Sequence, residues 1–369
     1  MTLPLRVVQA VRPDASAGVL AGAAVVAAVF AATPFLLPDV STRLGTPLGV
    51  TGLLSTAQVA SFAAASFLAG RFLRPRRRLH YGSLILVAIA CTASAVVPNF
   101  PLLLATRVLA GVGMGTLTWI AWADATRHST GIGDVAAIAP VTAAVVSPIL
   151  GWMTTQGGYK LVFVALSVIA LVAIMFPVDF GDLPRVGRTV SGSRSNRILL
   201  AGLFLLTLGG SAVFVFSGAI GTEFVGLSAV TVAWALSLNA VAGVLGTRIT
   251  ARAGRAGVWL LGAAGSALII GNVGAPVVYV VAITIWGFSY WVYVPAMIKL
   301  LAEKSLTPTE RVGDAQASMA MGRVFGPIVG GVAVAGANFG RLSIVGSTIM
   351  LASAAIAIGV EWGRSRQNA

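Results

Sequence analysis

The chain has 369 residues, of which 57% are hydrophobic and only 10% are Asp, Glu, Lys or Arg. Soluble domains carry about 25% charged residues, so the composition excludes a soluble globular protein and indicates an integral membrane protein. The formal net charge is +14, but the basic residues lie in short gaps between apolar runs, which argues against nucleic-acid binding.

Side chains suited to metal binding or catalysis are scarce. The chain has one cysteine, Cys91, and two histidines, His80 and His128, each of which borders a basic gap. A single cysteine excludes a disulfide framework, and no cluster of His, Cys, Asp and Glu can be assembled. We therefore expect no cofactor, no metal and no enzymatic activity.

Twelve apolar runs approach the roughly 20 residues that a helix needs to cross the hydrocarbon of a bilayer. We predict spans at about 17–37, 48–69, 79–97, 101–123, 135–155, 161–178, 198–220, 228–247, 258–274, 277–298, 315–336 and 342–360. The first run could also be a secretory signal, but eleven spans follow it and no small-residue cleavage site stands out. The predicted fold class is an all-α membrane protein.

The basic residues indicate the orientation of these spans. With a cytoplasmic N-terminus, 20 of the 25 Lys and Arg fall on the cytoplasmic side, and only Arg43, Lys160 and Arg341 fall outside. The other two, Arg107 and Arg323, lie inside spans. Positive residues are retained in the cytoplasm, so we expect a multi-pass protein of the cytoplasmic membrane with both termini inside the cell.

The chain divides into two similar halves. The longest polar segment, residues 179–197, separates six spans in residues 1–178 from six in residues 198–369. Basic gaps follow both span 2 and span 8, and both span 5 and span 11 open with Gly-Asp and contain Pro-x-x-Gly. Parallel six-span repeats predict two pseudo-symmetric bundles that rock around a central site.

Several motifs resemble those of the major facilitator superfamily. Span 4 carries Arg107 and Gly111 in an Arg-x-x-x-Gly pattern, and span 11 carries Gly313, Gly322, Gly326-Pro327, Gly330 and Gly331 in the family's antiporter pattern, which normally lies in helix 5. The loop after span 2 begins with the expected glycine, Gly70, but has Arg74 where the family has an acid. The resemblance covers essentially the whole chain and implies a twelve-helix transporter.

Polar and aromatic residues within the spans are candidates for substrate binding. Arg107 and Arg323 are foremost, because a charge near the bilayer centre costs about 2.5–3.5 kcal/mol on insertion scales. Arg107, about six residues from the outer end of its span, could instead snorkel or be purely structural, and Arg323 could be a structural arginine bonded to backbone carbonyls. The other candidates are Gln58, Trp119, Asn239, Trp286 and Tyr290, although aromatics in spans are more often packing residues.

All eleven acidic residues fall in loops or at span ends. Two arginines without a mid-membrane acid predict an electropositive cavity and a neutral or anionic substrate. If a proton is coupled, Asp39 and Glu223 are the leading carriers, since they occupy corresponding outer ends of spans 1 and 7. Both could equally be ordinary interfacial acids.

Other residues are candidates for gating. Asp134 and Asp314 open spans 5 and 11, where each could simply cap a helix. The resemblance implies a second role, because the family's loop acid packs near the start of helix 11. Arg74 with Asp314 would then be a charge-swapped latch, with Asp134 and Arg248 or Arg252 as its symmetry mate. Gly326-Pro327 could loosen span 11, since proline removes a backbone hydrogen bond.

We expect a monomer that moves a small organic molecule, and possibly protons, across the lipid bilayer by alternating access. Proton-coupled efflux is preferred on the strength of the resemblance, and symport or facilitated uptake is the alternative. A polytopic receptor or scaffold is the alternative from another class, but it would not need a repeat of six spans.

Overall fold

The computed structural model describes residues 16–125, 131–179, 194–249, 256–302 and 308–367, and its secondary structure within these ranges is helical. We number the spanning helices α1 to α12. They are α1 (Ala17–Leu44), α2 (Leu53–Phe72), α3 (Arg77–Val96), α4 (Phe100–Ala125), α5 (131–157), α6 (159–173), α7 (Arg194–Phe214), α8 (Ala229–Ile249), α9 (Ala256–Ile270), α10 (Pro276–Ala302), α11 (Pro308–Ala333) and α12 (Phe339–Gln367).

Glycines with positive φ mark two of the boundaries. Gly45 ends α1 at φ 60°, a left-handed conformation that glycine adopts without steric cost. Gly158, at φ 66° and ψ −160°, breaks the continuous run Gly131–Ala173 into α5 and α6. The break confirms that this stretch holds two spans.

Two spans begin or end irregularly. A single turn, Leu48–Thr51, precedes α2, and α7 continues through the turn Ser217–Ala219 and the π-helical segment Ile220–Phe224. The start of α7 at Arg194 lies within the predicted linker 179–197, of which residues 180–193 are outside the described ranges. The division of the chain at this linker stays a prediction.

By length and apolarity alone, nine helices among the described residues can cross a membrane, and one of these contains both α5 and α6. The remaining two of the twelve fall short for different reasons. The apolar part of α9 spans only Gly257–Ile270. α11 is less apolar than those nine helices because it carries both Arg323 and Asp314.

The helices pack as two groups of six with matching internal contacts. α4 packs against α2 and α3 in the first group, and α10 packs against α8 and α9 in the second. α3 packs on the segment 131–173, and α9 packs on α12 in the same way. The groups meet mainly where α2 contacts α11 and where α8 contacts the segment 131–173. This is the predicted pair of pseudo-symmetric bundles.

Candidate functional site

A cavity of about 310 Å³ lies at the interface between the two bundles. Side chains from seven helices line it. They are Ala27, Phe30, Ala31, Thr33 and Pro34 of α1; Ser55 and Val59 of α2; Ala139, Pro140, Ala143 and Ser147 of α5; Thr207, Gly210, Ser211, Phe214 and Val215 around α7; Leu236, Asn239 and Ala240 of α8; Trp286, Gly287, Tyr290 and Trp291 of α10; and Arg323 of α11.

Backbone contacts close the cavity at the end where α1 finishes and α2 starts, which we call the closed end. A Cβ placed on Gly49 would collide with the carbonyl oxygen of Gly331, and one on Gly331 with that of Gly49. Nearby, a Cβ on Gly52 would lie 3.0 Å from the Pro327 carbonyl oxygen. The Thr56 hydroxyl donates to the Val324 carbonyl at 3.1 Å. Glycine is required at positions 49 and 331 because these two segments of the chain touch through their backbones.

Small residues also fix the position of α11 against α7. A Cβ on Gly326 would lie 2.8 Å from the Leu208 carbonyl oxygen, and one on Gly322 would collide with the Thr207 hydroxyl. This spacing of four residues presents one narrow face, which lets the backbones approach closely. α11 remains helical through Pro327. The close packing brings Thr207 and Ser211 into the same cavity lining as Arg323.

Four of the seven predicted substrate-binding residues line this cavity: Asn239, Trp286, Tyr290 and Arg323. Arg323 is half-buried, and its Nη2 lies 3.4 Å from the Tyr290 hydroxyl oxygen, to which it donates. The Asn239 side-chain amide donates to the Ile283 carbonyl at 2.6 Å, which holds α8 against α10. Trp286 meets Phe214 edge to face, with the ring centroids 5.9 Å apart.

The charge of the cavity comes from one side chain. Arg323 is the only Lys, Arg, Asp or Glu among the described lining residues. No carboxylate in the described part of the chain forms an ion pair with it. The cavity is therefore electropositive, as the distribution of acids predicted.

Arg107 does not line the cavity; it lies inside the first bundle at 2% exposure. Its Nη2 donates to the Ala90 carbonyl at 3.2 Å and to the Ser94 hydroxyl, and its Cζ lies 4.3 Å from the Phe163 ring centroid. Gln58 faces it as well, with Oε1 3.5 Å from Nη1. One backbone carbonyl, one hydroxyl, one side-chain amide oxygen and a ring thus take the place of a carboxylate, an arrangement that favours the structural alternative for this arginine.

Trp119 also lies away from the cavity. Its indole nitrogen is 3.3 Å from the position that a Cβ on Gly70 would occupy, so the ring fills the space beside this glycine. The equivalent contact in the second bundle joins Gly243 to the ring of Trp291. Gly70 therefore packs α2 against α4 in this structure.

A second cavity of about 240 Å³ lies at the closed end and contains both predicted proton carriers, Asp39 and Glu223. The Asp39 carboxylate accepts bonds from Arg43 Nε at 3.0 Å and from the backbone N–H of Tyr159 at 2.6 Å. Asp39 thus holds the first residue of α6, just beyond the Gly158 break. Glu223 is exposed in the π-helical segment.

The remaining gating candidates lie at the opposite end, which we call the open end. Arg74 is exposed in the segment between α2 and α3, and it forms no ion pair with Asp314 in this structure. The side chains of Asp134 and Arg248, and the whole of Arg252, lie outside the described part of the chain. The close approaches between the bundles described above lie at the closed end and near the middle of the helices. The Arg74–Asp314 latch therefore stays a prediction, and it concerns a state in which the open end has closed.

Sequence analysis missed several lining residues, notably Phe30, Phe214, Thr207, Ser211 and Trp291. One signal could have revealed the first two. Phe30 and Phe214 are 184 residues apart, the same interval that separates Asp39 from Glu223. Applying the repeat to every aromatic residue would have placed both rings at equivalent sites. The hydroxyls carry no such signal, because serine and threonine inside spans commonly bond their own helix.

The Major Facilitator Superfamily model matches residues 19–331. A chloramphenicol resistance protein of Streptomyces lividans is 24% identical over 356 residues, covering 88% of this chain and 89% of that protein. A chloramphenicol efflux pump of Mycobacterium tuberculosis is 29% identical over 194 residues, covering 48% of this chain and 47% of that protein.

Two solved structures have a similar fold. A bacterial homolog of the human lysosomal transporter Spinster, in an inward-facing and occupied conformation, aligns with a TM-score of 0.77 at 15% identity and covers 94% of this chain and 95% of that one. A human organic anion transporter aligns with a TM-score of 0.57 at 16% identity, covering 92% and 97%.

Proposed function

The chain belongs to the major facilitator superfamily, and we propose that it exports a small neutral or anionic organic compound from the cell by proton-coupled alternating access. Family membership makes it a multi-pass membrane transporter of small molecules rather than an enzyme. The proposal adds the direction, the coupling ion, the charge of the substrate and action as a monomer.

The observation that carries the proposal is the charge of the central cavity. Arg323 lies among its described lining residues without an acidic partner. Inside a low-dielectric bundle a positive charge repels cations and attracts anions over several ångströms. A neutral polar compound is also accommodated, because the Ser211 hydroxyl can donate a hydrogen bond and the side-chain oxygen of Asn239 can accept one. A permanently cationic substrate is disfavoured.

The orientation of this state is inferred from the arginines, and the direction is inferred from the relatives. The arginine-rich segment around Arg74 lies at the open end, and positive residues are retained in the cytoplasm. On this orientation the cavity is sealed from the outside by the Gly49–Gly331 contact and is loaded from the cytoplasm. Relatives named for chloramphenicol resistance and chloramphenicol efflux support export.

For proton coupling, the closed-end cavity favours Glu223 over Asp39. Asp39 is engaged by Arg43 and by the N–H of Tyr159, so its protonation would disturb the start of α6. Glu223 shares that cavity but is exposed, so it can exchange protons with the outside in this state. Glu223 is therefore the proposed carrier, and Asp39 the residue that positions the adjoining helices.

The test is flux in proteoliposomes of known protein orientation. Chloramphenicol serves as the neutral probe and 1-naphthoate as the anionic one, each with and without an imposed proton gradient. We expect movement from the cytoplasmic to the external side, accelerated when the external side is acidic. Acceleration of the reverse movement would establish symport. Flux indifferent to the gradient would establish facilitated diffusion, and absence of flux for a broad panel would favour a receptor or scaffold.

A further inference from the structure

We propose that Arg323, Tyr290 and Trp286 form a recognition site for aromatic carboxylates, in which the guanidinium holds the carboxylate and Trp286 contacts the ring. This inference rests on the proposed function and narrows its substrate class. It assigns the binding energy for the charged group to the second bundle alone.

The first argument compares the two intramembrane arginines. A guanidinium has five N–H donors, and a buried donor without an acceptor is costly. Arg107 directs its two terminal nitrogens at Ala90, Ser94 and Gln58, all within the first bundle, and among the described residues only its Nε is left without a partner there. Within the described ranges Arg323 makes one bond, a long one of 3.4 Å to Tyr290, and it lines the cavity. The donors that protein groups do not engage are those a ligand can use.

The second argument concerns the shape of the group that these donors fit. A guanidinium is planar and binds a carboxylate through two parallel N–H···O bonds, a geometry that an ammonium group cannot reproduce. The Tyr290 hydroxyl accepts from Arg323 and has its own proton to donate to the same carboxylate. The pair therefore presents a set of donors on one side of the cavity.

The third argument places the ring of the ligand. Trp286 and Tyr290 are four residues apart on α10, so their Cβ atoms lie about 6 Å from each other on one helix face. That separation is close to the width of one or two fused rings. Trp286 is held edge to face by Phe214, and this packing keeps its ring in place beside the cavity. A carboxylate attached directly to an aromatic ring fits this arrangement.

The fourth argument is the asymmetry of the cavity. The described lining residues of the first bundle are small or apolar except for Thr33, Ser55 and Ser147. The second bundle supplies the arginine, the amide of Asn239 and the rings of Trp286, Tyr290 and Trp291. The first bundle therefore offers a largely apolar surface that can move past the ligand while the second bundle retains it.

Equilibrium binding to the purified full chain in detergent tests the inference without requiring transport. The probes are 1-naphthoate, its neutral analogue 1-naphthamide, and decahydronaphthalene-1-carboxylate, which keeps the charge but lacks the aromatic ring. We expect 1-naphthoate to bind about 10- to 100-fold more tightly than 1-naphthamide, as hydrogen bonds to a charged group imply. It should also bind more tightly than the saturated carboxylate.

Variants assign the effect to residues. Arg323→Gln should abolish the preference for naphthoate over naphthamide, and Arg323→Lys should retain only part of it. Trp286→Leu should reduce the preference for the aromatic over the saturated carboxylate. Lys160→Gln, which removes an exposed positive charge far from the cavity, is the matched control and should change neither preference.

Each alternative outcome is decisive. Equal binding of naphthoate and naphthamide to the unmodified chain, or an unchanged preference in a folded Arg323→Gln variant, overturns the inference. Should that variant fail to fold, the comparison of ligands on the unmodified chain decides alone. Chloramphenicol flux in vesicles without naphthoate binding would overturn the inference and leave the proposed function standing. Naphthoate binding without flux of any compound would overturn the proposed function and leave the recognition site standing.

Discussion

Gly49, in the turn before α2, and Gly331, near the end of α11, meet backbone to backbone across the interface between the two bundles. The carbonyl oxygen of each glycine occupies the space that a Cβ atom on the other glycine would need. The contact is one of the close backbone approaches between the bundles at the closed end, together with that of Gly218 against the Pro34 carbonyl, and alternating access requires that it break. The glycines of α11 thus serve two contacts: Gly322 and Gly326 pack α11 on α7, and Gly331 closes the interface between the bundles.

Replacing Gly331 with alanine should weaken this seal. Overpacking a tight contact costs about 1–3 kcal/mol, which shifts the population toward states open at this end. A cysteine introduced at Ser55, a residue of the cavity lining, should then react faster with an impermeant thiol reagent added from the closed end. The native Cys91 has 0% exposure and contributes little background. Gly359→Ala, where a Cβ meets nothing within 4 Å, is the control, and equal labelling in both variants would contradict the prediction.

Removing the buried arginine should affect stability before it affects substrate preference. Arg107→Lys loses the fork of donors that reaches Ala90, Ser94 and Gln58, at about 1.5–3 kcal/mol for each bond to a charged group. We expect a clear fall in the melting temperature of the purified protein, measured by thermal aggregation. Arg323→Lys, which disturbs one bond of 3.4 Å, should melt close to the unmodified chain. Equal melting temperatures for the two variants would contradict a structural role for Arg107 that Arg323 does not share.

Glu223→Gln should separate proton coupling from substrate movement. Without a titratable group at the closed end, accumulation driven by a proton gradient should fall to the rate measured without a gradient. Exchange of labelled for unlabelled substrate, which needs no net proton movement, should continue. Asp179→Asn, which changes an exposed acid paired with Arg77 at the open end, is the control. Gradient-driven accumulation that persists in Glu223→Gln would assign the proton to another group.

The latch between Arg74 and Asp314 predicts rescue by charge reversal. Arg74→Asp should slow transport by up to about 5-fold, since exposed ion pairs contribute about 0.2–1 kcal/mol. Adding Asp314→Arg should restore part of the rate, because the opposite charges again face each other when the open end closes. Arg76→Asp, at another exposed arginine of the same segment, should gain nothing from Asp314→Arg. A double variant no faster than Arg74→Asp would leave Asp314 with a capping role only.

The sequence was sufficient to predict the twelve spans, because residence in lipid demands long apolar runs and the basic residues sort between the two sides. It also predicted an electropositive interior, since acids were confined to loops and span ends. Both properties depend on the order of residues along the chain, because each span is determined by its own apolar length and by the basic residues that flank it.

Tertiary structure decided which polar residues share a cavity. Arg107 and Arg323 look alike in sequence, yet one is enclosed by α2, α3 and α6 while the other faces the space between the bundles. The rotation of each helix about its axis makes this difference. It is set by close contacts between distant segments, such as Gly111 against Gln58 and Gly326 against Ser211. The sequence of a single span does not determine which of its faces such a contact will cover.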